Sequence, residues 1–149
     1  ANIEGAGAVD VRTLVRQALR MRPDRLVVGE VRGAEVVDLL AALNTGHEGG
    51  CGTLHANSAA DVPARVEALA LAAGLDRAAT HSQLASGVHL VLHLARGPDG
   101  VRRIREVAVP ERGPDGLVRM LTAARLDADR VQDGPGADRL AALLERSQA

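Results

Sequence analysis

The chain has 149 residues, 46% of them hydrophobic and 25% charged, with a formal net charge of −1 and no Phe, Tyr or Trp. That length suits one soluble domain burying ~70% of its unfolded surface, around a core of Leu, Val and Ala rather than aromatic rings. All 18 basic residues are Arg, which excludes a GxxxxGK(S/T) phosphate loop or a Schiff-base lysine within these residues; the missing aromatics exclude a base-stacking platform, and the near-neutral charge argues against a generic nucleic-acid binder.

The single Cys excludes an internal disulfide and a multi-Cys zinc cage, and it suits a reducing compartment. No apolar run approaches the ~20 residues that span a bilayer, and no signal peptide is visible. The opening Ala-Asn-Ile-Glu reads as interior to a longer polypeptide.

Residues 1–9 read as a loop. Asp10 suits the N-cap of a helix to about Met21, with Val11, Leu14, Val15, Ala18 and Leu19 at helical spacing. Arg12, Arg16 and Arg20 form a second stripe, either a solvated face or a row facing phosphate or a neighbouring subunit. Pro23 ends the helix. Leu26–Val28 is a continuous apolar run, as in a parallel strand covered on both faces. Gly33 then turns into a helix over residues 34–44 that buries Val36, Val37, Leu40 and Leu43 and stops at Gly46. Residues 49–54 form a second buried strand.

A third helix starts near Asp61, with Pro63 in its first turn and Val62, Val66, Leu69 and Ala73 inward. Asp76 caps a fourth helix to about Ser86. From Val88 to Ala95 the period switches to two, with Leu90, Leu92 and Leu94 on one face. Gly-Pro-Asp-Gly turns at 97–100 and 113–116 predict a meander through strands at 101–109 and 117–121. Residues 127–136 read as linker and Asp138–Arg146 as a tail helix. The fold class is thus α/β: parallel strands with flanking helices, then an antiparallel β-meander and a short C-terminal helix. Two strand–helix units in succession imply a right-handed crossover, with ligands at the carboxyl ends of the strands. Glu30 and His55 lie there.

A carboxylate ending a buried strand is costly unless paired, hydrogen-bonded or bound to a cation. In nucleoside triphosphatases such a residue holds magnesium or orients the attacking water; pairing of Glu30 with Arg32 or Arg20 is the structural alternative. His47, Cys51 and His55 form H-x3-C-x3-H. The neighbouring glycines argue against one helical metal-binding face, and a zinc site lacks a fourth ligand. His55 therefore reads as a donor to a phosphate oxygen and Cys51 as a core residue. His89 and His93 share a strand face roughly 13 Å apart, too far to share a metal. His81 and the Arg102/Arg103/Arg105 cluster read as solvated, with subunit contact as the second choice.

The ordered combination is more specific than its parts. ALRMRPDRLVVGEVRG followed by ALNTGHEGGCGTLHANS resembles the Walker B and His boxes of the secretion-superfamily ATPases, which power type II and type IV secretion and type IV pilus machines. The wording RPDRLVVGEVRG and TGH…TLHANS resembles most the CpaF-like branch, which assembles Flp/tight-adherence pili. The similarity covers roughly residues 1–125.

The resemblance implies the C-terminal part of a RecA-like P-loop ATPase domain over residues 1–126, with residues 127–149 as linker and tail. It implies a homo-hexamer working with pilus or secretion platform proteins, cytoplasmic and peripheral at the inner face of the cytoplasmic membrane, without nucleic acid. ATP and magnesium are its implied ligands. By position, Glu30 is the Walker B glutamate for magnesium (through water) and the attacking water. Thr45-Gly46-His47 and Thr53-Leu54-His55 form the His box that senses the nucleotide. Arg20 and Arg32 lie near the phosphates or the subunit seam. The family's Walker A loop, acidic Asp box and four-Cys metal module are absent from these residues, so the segment alone is expected not to bind ATP productively. The competing reading is a non-catalytic, truncated paralogue that docks on a secretion or pilus ATPase ring.

Overall fold

The computed structural model describes residues 7, 9–46, 49–127 and 130–146. Helix α1 runs Val11–Arg20, and Asp10 caps it by accepting from the Thr13 N–H at 2.6 Å. Of its apolar stripe only Val15 is buried; Ala18 and Leu19 touch the core, while Val11 and Leu14 stay exposed. The arginine stripe resolves differently from either sequence reading. Arg12 and Arg16 each reach Asp38 of the next helix through Nε, at 2.6 and 2.7 Å. Two of the three arginines therefore clamp α1 onto its neighbour, and Arg20 is exposed with no ion pair among the described residues.

Strand β1 (Val27–Val28), helix α2 (Glu35–Leu43) and strand β2 (Cys51–Gly52) form the expected parallel unit, with Val27 opposite Cys51 and Val28 opposite Gly52. Val28 and Gly52 face α2 so closely that a Cβ on Gly52 would lie 2.8 Å from Leu39 Cδ2. The other face departs from the sequence expectation. Val27 is 69% exposed, and Cys51 is exposed rather than in the core. Alternation along a strand turns both side chains away from α2, and among the described residues only an open cleft separates that face from α1.

A 3-10 turn (Ala59–Asp61) leads into α3 (Val62–Ala72), with Pro63 in its first turn as predicted. Helix α4 (Arg77–Gly87) is capped by Asp76, which accepts from the Ala79 N–H. The core joins α1–α4 and β1, with Val36, Leu40, Val66, Leu69 and Leu84 among its members. Asn44, just past α2, donates from Nδ2 to the Gln83 carbonyl of α4 at 3.0 Å.

Strands β3 (Val91–Arg96), β4 (Arg102–Arg112), β5 (Val118–Asp127) and β6 (Arg130–Asp133) form the antiparallel meander in sequence order. Both Gly-Pro-Asp-Gly segments close hairpins as expected, with Gly100 and Gly116 at φ +78°, where glycine alone is unstrained. The expected linker instead contains β6, which pairs with β5 from Ala124–Asp133 to Asp127–Arg130. Helix α5 (Ala137–Arg146) packs against β5.

His81 corrects another expectation. Far from being solvated, it is 3% exposed. Its Nδ1 accepts from the Val118 N–H at 2.8 Å, which places the proton on Nε2 to face Glu67 Oε2 at 3.0 Å. One imidazole thereby joins α4, α3 and the start of β5. Arg102 and Arg103 are exposed as expected, and Arg105 pairs with Asp127 at 2.9 Å.

Candidate functional site at the strand ends

Parallel pairing of β1 and β2 brings their carboxyl ends side by side, and the chain continues the pairing beyond them. The Val31 N–H donates to the Thr53 carbonyl at 2.7 Å, and the Thr53 hydroxyl donates to the Gly29 carbonyl. Val31 is buried, so Glu30 and Arg32 on either side of it turn outward. Glu30 Oε1 lies 2.6 Å from Arg32 Nε and 2.8 Å from His55 Nε2. Two groups 25 residues apart in sequence thus meet because each ends one strand of a parallel pair.

The electrostatics favour an ionised Glu30. The Arg32 guanidinium, and then His55, hold its carboxyl below the usual carboxylate range. Both contacts lie off the line of a hydrogen bond: Oε1 is buried and has no aligned donor among the described residues. The oxygen is held between these two neighbours, chiefly by Arg32. Arg32 and His55 are mostly exposed, at 74% and 83% of their side chains, so both can move toward a ligand.

Glu35, which sequence reading passed over, shapes the same turn. Its Oε1 accepts from the N–H groups of Arg32 (2.6 Å) and Gly33 (2.9 Å). Burial raises its pKa, but the backbone amides of Arg32, of Glu35 itself and of Gly33 outweigh burial and the net direction is downward. An acidic residue in the first turn of a helix is so common that nothing in the sequence separates this one from a dipole partner.

Other predicted positions lie elsewhere. Thr45 and Gly46 close the far end of α2, where the Thr45 hydroxyl donates to the Ala41 carbonyl at 2.8 Å and Gly46 adopts φ +89°. In a strand–helix–strand unit that end is one helix length, ~14 Å, from the carboxyl ends of the strands. Neither residue, nor Arg20, has a hydrogen bond or ion pair to Glu30, Arg32 or His55. His47 lies outside the described residues.

Beside Glu30 opens a cleft of about 570 Å³ between α1 and β1. Its walls are apolar, including Val11, Leu14 and Val27, and its polar end is Glu30, Arg32 and Glu35. Among the described residues, no three His, Cys, Asp or Glu side chains converge as a protein-only metal cage. A single carboxylate whose two neighbours are exposed and free to move aside fits a different kind of metal, one that keeps most of its water and shares its remaining coordination with a phosphate, as magnesium does. No helix among the described residues is long and apolar enough to cross a membrane.

A half-buried glutamate just past one strand and a histidine just past its parallel neighbour meet at the carboxyl ends of an α/β unit, the position where such folds carry ligand sites. Comparison with known proteins makes the class specific. Residues 1–125 match the model of the type II/IV secretion system protein family, and the chain belongs to that family. It is 63% identical over 133 residues to a putative conjugal transfer protein of Mycobacterium tuberculosis, covering 89% of this chain and 38% of that protein. The probable conjugal transfer protein TrbB of Sinorhizobium fredii is 40% identical over 108 residues, 72% of this chain and 32% of that protein. Among solved structures, the VirB11 ATPase from the Brucella suis type IV secretion system, in complex with sulphate, superposes with a TM-score of 0.62 at 32% identity, covering 68% of this chain and 32% of that one. The chain thus spans between about a third and two-fifths of the length of these relatives.

Proposed function

We propose that this chain is the Walker B and His-box half of an ATPase motor that hydrolyses ATP to drive secretion, conjugal transfer or pilus assembly. The observation that carries the reading is the strand-end carboxylate: Glu30 Oε1 is buried, charged and without an aligned donor, beside His55 from the neighbouring strand. Family membership and likeness to the VirB11 ATPase support it. The CpaF-like wording of residues 22–33 and 53–58 supports Flp pilus assembly as the particular machine. In this proposal residues 1–126 belong to the motor domain, and residues 127–149 are an appendix to it.

Magnesium, when bound, supplies charge neutralisation on the transferring phosphate. Glu30 holds and orients water at the strand end, either on that ion or in line for attack. His55, 2.8 Å from Glu30, donates to a phosphate oxygen when nucleotide is present and returns to the carboxylate when it is not. Arg32 follows the same exchange, leaving Glu30 for phosphate charge. Thr53 fixes the Gly29 carbonyl and so the height of Glu30 above the sheet. Thr45 and Gly46 lie on the opposite rim; in this proposal they, with His47 and Arg20, sense nucleotide across a subunit seam in a homo-hexamer.

The phosphate-gripping part of the site lies outside residues 1–149 in this reading, since they contain no lysine. The exposed Val27–Cys51 face and the apolar cleft beside Glu30 support its docking there. Attachment is to the inner face of the cytoplasmic membrane through platform proteins.

The test is ATP hydrolysis by the full-length polypeptide carrying Glu30→Gln or His55→Ala. The first is expected to abolish turnover and the second to slow it by at least ~10-fold, the order of a lost charge-assisted contact in the transition state. Wild-type rates in both would remove these residues from the mechanism. A full-length wild type that binds its ring but never hydrolyses ATP would favour the assembly-module reading.

A further inference from the structure

Glu35 is 9% exposed and has no cationic partner among the described residues. A buried carboxylate without a counter-ion is costly and is tolerated where hydrogen bonds repay it. Here they come from two backbone amides, Arg32 and Gly33, both to Oε1.

Those amides are not the helix's own. Helix α2 starts at Glu35 with Ala34 as its N-cap, which provides no side-chain bond. A capping side chain ordinarily reaches the second or third residue inside the helix. Glu35 instead reaches backward, outside the helix, to the turn that follows Glu30. The Val36 and Val37 amides are served separately, by the Gly33 and Ala34 carbonyls. The carboxylate therefore fixes the turn after Glu30 as it closes the start of the helix, the backward reach of a capping-box glutamate.

The turn carries the site. Val31 is anchored to Thr53 on one side at 2.7 Å, and the Arg32 and Gly33 amides are anchored to Glu35 on the other. Glu30 lies between the Gly29 carbonyl, held by the Thr53 hydroxyl, and the Val31 amide, while Arg32 lies within the turn that Glu35 holds. Gly33 accommodates the carboxylate closely, since a Cβ there would lie 3.2 Å from Glu35 Oε2.

We propose that Glu35 is a positioning residue for the Glu30 cluster, holding the Val31–Gly33 turn so that Glu30 meets His55 at the strand ends in the geometry turnover requires. The inference rests on the function proposed above. Because both amides bond to one oxygen, position and charge separate cleanly. Glu35→Gln keeps an oxygen at the same reach and loses the charge. Glu35→Asp keeps the charge and loses one methylene of reach.

The experiment measures kcat, KM for ATP and thermal midpoint in the full-length protein for Glu35→Gln, Glu35→Asp and Glu30→Gln. Glu35→Gln is expected to stay within ~3-fold of wild-type kcat and Glu35→Asp to lose at least ~10-fold, with KM for ATP within ~3-fold in both, the signature of an interaction that matters in the transition state rather than in binding. Glu35→Asp equal to wild type, or Glu35→Gln slower than Glu35→Asp, overturns the proposal. So does a pair whose kcat losses merely track their falls in thermal midpoint. If Glu30→Gln itself turns over normally, the function reading fails with it; if Glu30→Gln is dead while both Glu35 variants are unaffected, only the positioning role falls.

Discussion

Replacing His81 with leucine tests whether one imidazole joins the strand-end half of the fold to the meander. Leucine fills nearly the same volume, so little cavity is left, but the buried Val118 amide loses its acceptor at 2.8 Å. An orphaned buried donor costs about 1–3 kcal/mol. Glu67 loses its 3.0 Å contact as well, yet it keeps Arg77 at 3.3 Å and is partly exposed, so screening makes that loss minor. His81→Leu is expected to destabilise the chain by about 1–3 kcal/mol. His81→Ala costs more, by a further ~1–2 kcal/mol for the cavity. The assay is urea unfolding followed by far-ultraviolet circular dichroism, because the chain has no aromatic residue to report by fluorescence. A surface histidine would change stability by less than ~0.5 kcal/mol. That result for His81→Leu would refute the joint.

The α1–α2 clamp gives a second expectation. Asp38→Ala removes the partner of both Arg12 and Arg16; since both guanidinium groups reach solvent, urea unfolding should show a loss of about 1–2 kcal/mol, and no loss would make the clamp incidental. The third expectation concerns acid. Glu35 and Glu67 have carboxyls held below their ordinary 4.5, Glu35 against burial by the amides of Arg32, of Glu35 itself and of Gly33, Glu67 by His81 and then, against burial, by Arg77. Their depressed folded pKa makes their stabilisation complete above the unfolded value and lost as pH falls below it. Stability should therefore decline with acid below about pH 4.5, and Glu35→Gln should flatten that decline. An unchanged acid limb in Glu35→Gln would contradict this.

Much of the site could be read from sequence because strand-end chemistry has a one-dimensional signature. An apolar run followed by Glu30, and a second followed by His55, needed only the parallel pairing of consecutive strand–helix units to meet in space. Local signals were equally legible: the Asp10 and Asp76 caps and the two Gly-Pro-Asp-Gly turns depend on residues within four positions of one another.

The failures share a cause. Leu26–Val28 is apolar throughout, and such a run does not say whether both faces are covered within the residues at hand; Val27 and Cys51 are the uncovered side. His81 looked solvated because the amide that needs it lies 37 residues away. Asp38 turned the arginine stripe into a clamp from 22 and 26 positions off. The 127–136 segment is rich in Asp and Gly, yet β5 offers its edge to residues 130–133. Glu35 hid in a role that many helix-start acids share. Long-range partners decided each case, and periodicity does not carry them.

The central claim is that Glu30 serves chemistry rather than folding. Its most direct test pairs nucleotide binding with hydrolysis in one preparation of the full-length protein bearing Glu30→Gln. The account predicts ATP affinity within ~3-fold of wild type and turnover reduced by at least ~100-fold, an effect confined to the transition state. Turnover at the wild-type rate, or affinity and turnover lost together with the fold intact, would contradict it.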